Sequence, residues 1–490
     1  MAMQTDERQD RLSRRAALIA ANIPPHPAQY DRTHLLSELK GLPAGEAVRV
    51  CGRIMLQRVI GKIAFYTLQD ASGTHQVAVK FDDVGDIMFG LTAMLDRGDF
   101  LGVAGQMGAT KTGEPTVWAM TLQLLGKSLT PPPEKWHGLQ DVEVIYRHRE
   151  LDLMANRESF ERFKLRSKFV SNCRAYLERE GFMEVETPIL TGVATGAAAK
   201  PFRTHHETDD MDMVLRISPE TYLKRCIGGG FDRVFETAKC FRNEGSDPSH
   251  VQEFTQIEYY VAYRDYVWNM DFTEKFLREI LMQTFGKLQF EVIGKTGSVH
   301  SIDLEQPLPR YRITDLIKQK SGIDVLQFSD ASELLAAMRS RGLDVEDAEA
   351  KGLGTLVDEL YKKTVRPDLI APCFITNHTA DMLPLARRND EDPRLVDSFQ
   401  LVAAGWELLK AYSELVDPVD QRARMERQTE FRAHGDEESF ELDEDFLQAM
   451  EAGFPPITGW GMGIDRIFAL LTGQPNLRDV ILFPIMKPEK

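Results

Sequence analysis

The hydrophobic pattern of the chain changes at a run of three prolines, Pro131–Pro133. Upstream of this run, short alternating stretches of apolar and polar residues are separated by turn residues, a pattern typical of a small β-barrel or sandwich. Downstream, longer amphipathic stretches have helical periodicity. A chain of this kind folds as separate domains joined by a stiff connection. We predict four parts: a helical extension over 1–45, a β domain over 46–128, a linker over 129–142 and a larger domain over 143–490.

Length and charge limit the classes of protein to which the chain can belong. At 490 residues it is too long for one ordinary core. The formal net charge of −16 disfavours nonspecific binding to nucleic acid, because such binding depends on Lys and Arg. A nucleic-acid partner therefore needs a local basic surface. The predicted N-terminal helix offers one, although such a face is more often simply solvated; its basic residues are Arg8, Arg11, Arg14 and Arg15.

The cysteines and the apolar runs indicate the compartment. The five cysteines are scattered and include no C-x-x-C pair, which argues against a zinc ribbon or a disulfide framework. No apolar run reaches the roughly 20 residues that span a bilayer. We expect a cytoplasmic protein with no membrane partner.

The stretch RVFETAKCFRNEGSDPSHVQEFTQIEYY, residues 233–260, predicts two strands around a polar loop. On the second strand, alternation places Phe254, Gln256, Glu258 and Tyr260 on one face. That face carries an amide and a carboxylate where a buried hairpin should be apolar. Two interpretations stay open at this point: a hairpin that lines a pocket, or a solvated edge hairpin with surface ion pairs.

Near the C-terminus, GWGMGIDRIFALLTG predicts a glycine-rich turn followed by a helix, with Arg466 close to the start of that helix. Glycines let a ligand approach the backbone, and a helix N-terminus offers free N–H groups to an anion. No βαβ unit precedes the glycines, so a dinucleotide-binding fold is not indicated.

Three blocks resemble, in order, the signature motifs of class II aminoacyl-tRNA synthetases: GFMEVETPIL, FRNEGSDPSHVQEFTQIEYY and GMGIDRIFALL. Further segments, including LRISPETYLKR, MLPLARRNDEDP and YSELVDPVDQ, resemble the lysyl-tRNA synthetases of that class. The resemblance covers nearly the whole chain. It implies an α+β protein, with a five-stranded OB-fold β-barrel that binds the anticodon and a catalytic domain built on an antiparallel β-sheet flanked by helices.

The activity that this resemblance implies is ATP-dependent attachment of L-lysine to tRNA(Lys) through a lysyl-adenylate, with Mg²⁺ as cofactor. It also implies a homodimer, because the region before Pro188 is similar to motif 1. Two other functions stay open. One is a paralogue that activates a different amino acid or modifies another acceptor, and the other is a noncatalytic tRNA-binding regulator.

The resemblance also implies an ATP site. Arg242 and Arg466 are its catalytic residues, Arg242 holding the substrate carboxylate and a phosphate oxygen and Arg466 meeting the γ-phosphate. A guanidinium suits the first task because its planar fork holds two oxygens at once. The family pattern places Phe254 on adenine, Glu244 at the adenine or ribose side, His250 near the outer phosphates, and Glu407 as the main magnesium ligand.

Lysine has two ammonium groups, which call for carboxylates. By resemblance, Glu220 holds the α-amino group, while Glu258 and Glu414 surround the side-chain ammonium together with Tyr260. Unpaired buried carboxylates are costly, so these acids make sense as a site that the ligand completes. The other positions that match the lysine site are Gly196, Arg242, Lys410 and Tyr412.

Two positions depart from the family pattern. Gln400 replaces the second acidic metal ligand, and Lys410 replaces an asparagine of the substrate site. Together these changes add two units of positive charge, which is the charge of one magnesium ion. We therefore hypothesise that Lys410 stands in for an auxiliary metal ion or pairs with the substrate carboxylate, while Glu407 keeps the principal magnesium. The competing hypothesis is that Lys410 pairs with Glu414 and occupies the place of the substrate ammonium.

In the predicted barrel, the resemblance assigns anticodon contacts to Phe65, Gln76 and Glu114, with Arg58 nearby. Aromatic rings stack on unpaired bases, and amides read their edges, which is how OB-folds bind single strands. Phe65 taken alone is equally compatible with a core position.

Overall fold

The computed structural model describes residues 2–132, 139–197, 199–245, 247–433 and 441–488. Residues 133–138 of the predicted linker therefore lie outside the described residues. The chain forms two compact units, Met1–Arg157 and Glu158–Lys490.

The N-terminal unit contains the predicted five-stranded OB-fold barrel. It is closed in the order β1-β2-β3-β5-β4. Its strands alternate buried and exposed side chains, and the buried set, which includes Tyr66 and Val77, fills the barrel interior. The strands are β1 Ala47–Ile60, β2 Ile63–Gln69, β3 Thr74–Lys80, β4 Phe100–Ala109 and β5 Pro115–Gly126.

The described part of this unit also contains the helices α1 Ala2–Ala20, α2 Phe81–Gly90, α3 Val142–Arg147 and α4 Arg149–Ala155. Two of the four arginines considered as a basic surface on α1 serve the fold. Arg11 is 2% exposed and donates from Nη1 to the carbonyl of Arg97 at 2.9 Å, and Arg14 forms an ion pair with Asp96. The free basic surface on α1 is correspondingly smaller than the sequence suggested.

The C-terminal unit is built on one eight-stranded sheet in the order β14-β15-β16-β17-β18-β11-β10-β6. Its pairs are antiparallel except the two outermost ones, β14 with β15 and β10 with β6. The unit also contains a three-stranded sheet, in the order β7-β9-β8, and the two-stranded sheet β12-β13. The strands are β6 Met183–Glu184, β7 Leu190–Thr191, β8 Arg203–His206, β9 Met211–Leu215, β10 Arg233–Phe241, β11 Glu253–Ala262, β12 Gln289–Ile293, β13 Val299–Asp303, β14 Arg310–Arg312, β15 Cys373–Thr376, β16 Ser398–Ala403, β17 Trp406–Ser413 and β18 Ile457–Gly463.

One face of the large sheet packs on helices and forms the main core of this unit. Tyr259 of β11 stacks on Trp460 of β18 with ring centres 4.8 Å apart, and Phe276 meets Trp460 edge-on. The opposite face is left for the polar side chains of the same strands. The helices of this unit are α5 Arg157–Arg179, α6 Glu220–Gly228, α7 Tyr266–Phe285, α8 Ile313–Ser321, α9 Ala331–Arg339, α10 Leu353–Thr364, α11 Pro418–Ala433, α12 Glu444–Glu451 and α13 Ile464–Leu471.

Three local predictions from the sequence can be compared with the structure. The predicted hairpin over 233–260 is present as β10 and β11. The segment 395–415, which was compatible with helix or strand, contains the β16–β17 hairpin. The glycine-rich segment before Arg466 is the strand β18 rather than the expected turn, because its glycines lie between β11 and β17. None of the described helices is long and apolar enough to cross a membrane.

Candidate active site

The polar face of β11 is buried, so the alternative of a solvated edge hairpin is wrong. β11 lies in the middle of the sheet between β10 and β18. Its side chains Gln256, Glu258 and Tyr260 are 8%, 6% and 3% exposed. A carboxylate buried at this level requires polar partners or a ligand. The polar face is therefore the floor of a site.

Across this floor, residues of β17, β18 and β11 pair in rows, and the β18 residue in the middle of each of two rows is a glycine. Lys410 of β17 and Glu258 of β11 both pair with Gly461 of β18. In the next row, Gly459 lies between Tyr412 and Tyr260. A Cβ atom at Gly459 would lie 2.2 Å from Oε1 of Glu414 and 2.3 Å from Cε1 of Tyr260. The bare backbone of β18 thus leaves room for carboxylate and phenol groups above it.

Glu258 is held by neutral donors. Its Oε1 accepts from Ser218 Oγ at 2.9 Å and from Gln256 Nε2 at 2.5 Å, and its Oε2 accepts from the Tyr260 hydroxyl at 3.2 Å. Burial, reinforced by the charge of Glu220, raises the pKa of Glu258 to about 8. The neutral donors are too few to hold the carboxylate charged at neutral pH, whereas a ligand cation would do so.

Glu220 and Glu414 form the second part of the acid pocket. Glu220 begins α6, and its Oε1 accepts from the Tyr412 hydroxyl at 2.6 Å. Glu414 follows β17 and is 2% exposed. The ammonium of Lys224 contacts both acids, Glu220 at 2.7 Å and Glu414 by a short ion pair. The partner of Glu414 is therefore Lys224. No ion pair between Lys410 and Glu414 is present in the described parts of the chain, which removes support from the competing hypothesis.

Gly196 lies against the same pocket. It has a φ of +88°, and a Cβ at this position would lie 3.0 Å from Cβ of Glu220 and 3.1 Å from Oγ of Ser218. A side chain there would push the loop away from Glu220 and from Ser218, whose hydroxyl donates to Glu258. Glycine is thus required both by conformation and by space.

Arg242 extends the hairpin beyond β10, since its backbone N–H donates to the carbonyl of Gln252 at 2.9 Å. Its guanidinium carbon lies 5.0 Å from the centre of the Phe254 ring. Its Nε is buried and has no hydrogen-bond partner among the described residues. The arginine is therefore positioned by an aromatic ring while its donors remain available to an anion.

A cationic cluster surrounds Glu407 on β17. Nη1 of Arg466 donates to the backbone carbonyl of Glu407 at 3.1 Å, and Nη1 of Arg366 lies 4.0 Å from its Oε2. Burial alone would raise the pKa of Glu407, but Lys410, Arg466 and Arg366 lower it to about 2. One carboxylate among several cations forms a pocket suited to a polyanion.

Lys295 and Arg366 are members of this cluster that the sequence analysis missed. Burial lowers the pKa of Lys295, and the charges of Arg366 and Arg466 lower it further, which places the three cations in one group. The backbone N–H of Lys295 donates to the carbonyl of Ala404 at 3.1 Å. No motif contains Lys295 or Arg366. In the sequence each is a single basic residue outside the signature blocks, which is too common a feature to be informative.

Gln400 lies behind Lys410 in the same row of the sheet. It is 1% exposed, and its Oε1 has no hydrogen-bond partner in the described segments. It adjoins the buried His378, whose pKa is lowered to about 3 by burial and then by the charge of Lys410. Gln400 is therefore next to Lys410 but lies deeper than a ligand of a solvated ion would.

The two remaining ATP-site candidates lie in the loop between β10 and β11. His250 is exposed, and its Nδ1 lies 2.8 Å from Oδ2 of Asp247. Glu244 is half-buried, and its backbone carbonyl accepts from Gln252 Nε2 at 3.2 Å. The structure thus brings Arg242, Glu244, His250 and Phe254 onto one hairpin, with His250 at its solvent side.

The anticodon candidates occupy the outer surface of the barrel. Phe65 is half-exposed and pairs with Arg58, whereas its neighbours on β2 point inward. This position is not part of the barrel core, so the core alternative for Phe65 is wrong. Gln76 donates from Nε2 to Thr116 Oγ1 at 2.7 Å, and Glu114 is exposed in the turn before β5. The four side chains belong to the N-terminal unit.

Comparison with known proteins identifies both units. Residues 141–487 match the family model for class II tRNA synthetases (D, K and N), and residues 48–125 match the model for the OB-fold nucleic-acid-binding domain.

Three relatives illustrate how far the similarity extends. The chain is 42% identical over 482 residues to a lysine–tRNA ligase of Pelotomaculum thermopropionicum, covering 97% of this chain and 94% of the relative. It is 45% identical over 475 residues to one of Dehalococcoides mccartyi, covering 95% and 94%. It is 42% identical over 498 residues to one of Thermotoga maritima, covering 100% and 97%. With these matches along nearly its whole length, the chain belongs to the class II tRNA synthetase family of the D, K and N type, within the group of lysine–tRNA ligases.

Proposed function

We propose that this protein attaches L-lysine to tRNA(Lys) with ATP, by way of a lysyl-adenylate. The observation that carries the proposal is that two pockets of opposite charge lie close together on one face of the sheet. One contains three buried carboxylates, Glu220, Glu258 and Glu414, and the other contains a cationic cluster around Glu407. A substrate with two ammonium groups and a triphosphate suits this pair.

The first chemical step is attack of a lysine carboxylate oxygen on the α-phosphorus of ATP. A new P–O bond forms, the bond from the α-phosphorus to the bridging oxygen breaks, and pyrophosphate leaves with the electron pair. Arg242 stands beside Phe254, from which its free donors reach both the carboxylate and an α-phosphate oxygen. Positioning and charge compensation are sufficient for this reaction, and no nucleophilic side chain takes part.

The outer phosphates of ATP meet Arg466 and His250, and the adenine stacks on Phe254 with Glu244 at its polar edge. Arg366 and Lys295 extend the same surface. These cations compensate the charge that accumulates on the departing pyrophosphate.

The amino-acid substrate lies over the bare strand β18. Glu220 receives its α-ammonium, and Glu258, Glu414 and Tyr260 receive its side-chain ammonium. Tyr412 orients Glu220 through the 2.6 Å hydrogen bond, and Gly196 closes the loop over Ser218. Oε1 of Glu414 is buried and has no hydrogen-bond partner within the described regions. A substrate ammonium would satisfy this atom.

The residues present fit Mg²⁺ held mainly by the phosphates, with Glu407 as its protein carboxylate. Magnesium is commonly bound in this way, through one or two carboxylates together with substrate phosphates. Among the described residues, no group of three or more His, Cys, Asp or Glu side chains is arranged to hold a metal ion. Bound there, the ion would neutralise phosphate charge. Gln400 does not add a second carboxylate, and the Lys410 ammonium supplies positive charge at that side instead.

The tRNA(Lys) anticodon is read by the outer surface of the barrel, where Phe65 stacks on a base and Gln76 and Glu114 hydrogen-bond to base edges, with Arg58 nearby. We extend the proposal to a homodimer in the cytoplasm. Exposed apolar side chains around Pro188 support the dimer: Met183, Ile189 and Leu190 are 43%, 44% and 46% exposed. The five cysteines are all free thiols, which suits a reducing compartment.

Pyrophosphate exchange with ATP, measured against a panel of amino acids, tests this function. We expect exchange that depends on lysine and discriminates against ornithine and arginine. Exchange with a nonbasic amino acid alone would identify a paralogue of different specificity. Binding of tRNA without exchange for any amino acid would identify a noncatalytic regulator.

A further inference from the structure

A lysine of the chain itself lies inside the acid pocket. Lys224 is on α6, one turn after Glu220, and it is 0% exposed. Its Nζ lies 2.7 Å from Oε1 of Glu220 and forms a shorter ion pair with Oε2 of Glu414. One ammonium thus connects an acid at the start of a helix with an acid that follows a strand far along the chain.

The two neighbouring acids favour the charged form of this ammonium. Burial would lower the pKa of Lys224, but the carboxylates of Glu220 and Glu414 raise it. The Tyr412 and Phe446 rings make cation–π contacts with Lys224, with their centres 5.6 Å and 5.8 Å from Nζ. A buried cation with two carboxylate contacts is stable only while both contacts persist, since loss of either leaves an uncompensated charge.

The two oxygens of the Glu414 carboxylate have different surroundings. Its Oε2 contacts Lys224, while its Oε1 lies over Gly459 and has no hydrogen-bond partner among the residues that the structure describes. Lys224 is fully buried and contacts one oxygen of each acid, Oε1 of Glu220 and Oε2 of Glu414. Lys224 therefore acts on the substrate only through Glu220 and Glu414.

We propose that Lys224 is a positioning residue that sets the length of the amino acid activated, because its ammonium fixes the separation of Glu220 and Glu414. The inference rests on the proposed function, in which these acids hold the α-ammonium and the side-chain ammonium. A fixed separation of the two acids favours one length of substrate side chain. A substrate that is shorter by one methylene leaves an ammonium or a carboxylate unpaired.

The test compares lysine with ornithine in pyrophosphate exchange, using the full-length protein and two variants. Lys224→Met keeps the length of the side chain but removes the charge. Lys224→Arg keeps the charge but spreads it over a planar fork. In both we expect the ratio of kcat/KM for lysine to that for ornithine to fall by at least about tenfold. The KM for ATP should stay within about twofold, since the ATP site is formed by other residues.

A matched control is available in the other unit. Lys127 is also buried and also contacts two carboxylates, Asp99 at 2.7 Å and Asp96 by a shorter ion pair. Lys127→Met should lower thermal stability while leaving the lysine-to-ornithine ratio unchanged.

Three outcomes would overturn the inference. The first is an unchanged ratio in variants of Lys224 that still bind ATP. The second is a ratio that falls equally in Lys127→Met, which would indicate general destabilisation. The third is failure of the proposed function itself, recognised because the unmodified protein then shows no lysine-dependent exchange, or because Glu220→Gln and Glu414→Gln leave kcat/KM for lysine unchanged.

Discussion

Lys410 and Glu258 occupy one row of the catalytic sheet, separated only by Gly461, which has no side chain. The charge of Lys410 helps to lower the pKa of Glu407 to about 2, together with the charges of Arg466 and Arg366. In the proposed function this lysine therefore belongs with the cationic cluster around Glu407, next to the acid pocket.

Lys410→Asn should weaken activation and raise the magnesium concentration needed for half-maximal ATP binding, because one fixed positive charge beside the phosphates is lost. Calorimetric measurement of ATP binding at a series of Mg²⁺ concentrations gives this shift independently of turnover. Arg339→Gln removes an exposed arginine of the same unit, 51% exposed in its side chain, and serves as the control. An inactive parent that gains lysine-dependent exchange with Lys410→Asn would refute this placement of Lys410.

Arg242→Ala should abolish pyrophosphate exchange while the fold persists, because it removes a contact with both reacting groups. Circular dichroism and thermal unfolding check the fold. Exchange that persists within about tenfold of the parent, or roughly 1.4 kcal/mol, would show that Arg242 is not at the reacting atoms.

Gly459→Ala should reduce kcat/KM for lysine by about tenfold or more, because its methyl group would occupy the space of Glu414 Oε1 and Tyr260 Cε1. The KM for ATP should change little. Gly90→Ala is the matched control, since a Cβ at Gly90 meets nothing within 4 Å. Full activity of Gly459→Ala would mean that the region above β18 is not where the amino acid binds.

Lysine binding should become tighter as the pH rises towards 8 and then level off. The pKa of Glu258 is about 8 without ligand, so the carboxyl holds a proton at neutral pH that a bound ammonium displaces. The dissociation constant should fall by up to about tenfold per pH unit below the pKa. Calorimetry in buffers of different ionisation enthalpy measures the released proton, and Glu258→Gln should abolish this release.

Glu258 should also make the stability of the fold depend on pH, but stability should fall as the pH rises, whereas lysine binding becomes tighter. Because the pKa of Glu258 is higher in the folded state, the free energy of unfolding should decrease as the pH rises from the ordinary carboxyl pKa to about 8. Glu258→Gln should reduce that slope. An unchanged slope in the variant would show that another group is responsible.

Phe65→Ala and Glu114→Ala should slow aminoacylation of tRNA(Lys) and leave lysine-dependent pyrophosphate exchange nearly unchanged. Both residues belong to the N-terminal unit, on the outer surface and in a turn of the barrel. Equal losses in the two assays would instead indicate that these side chains support the fold.

Local periodicity was sufficient to predict the parts of the fold that depend on local contacts. The alternation around Glu258 predicted a polar strand face, and the short alternating strands predicted a small barrel or sandwich, of which the structure contains the barrel. The segment around Gln400 was ambiguous because both faces of β16 are buried, which removes the alternation. The glycines of β18 indicated a turn, but neighbouring strands override that preference.

The sequence names candidate site residues where a motif contains them, but it does not reveal residues that only the tertiary structure brings to the same region. Arg242, Glu407 and Arg466 were identified from the sequence, and the structure brings their charges together. Lys295 and Arg366 reach the same cluster from segments without a motif. Lys224 was overlooked because a lysine on a helix is usually solvated, and its partner Glu414 lies far away in sequence.

The strand order of the catalytic sheet also affects how the protein is made. β11 pairs with β18, so Gln256 meets Gly463 from a distant part of the chain. During synthesis, β10 and β11 emerge well before β18 exists, and the hydrogen-bonding edge of β11 then has no native neighbour. Such nonlocal pairing is slow to form. Until β18 has been synthesised, that edge of β11 is therefore open to non-native strand pairing.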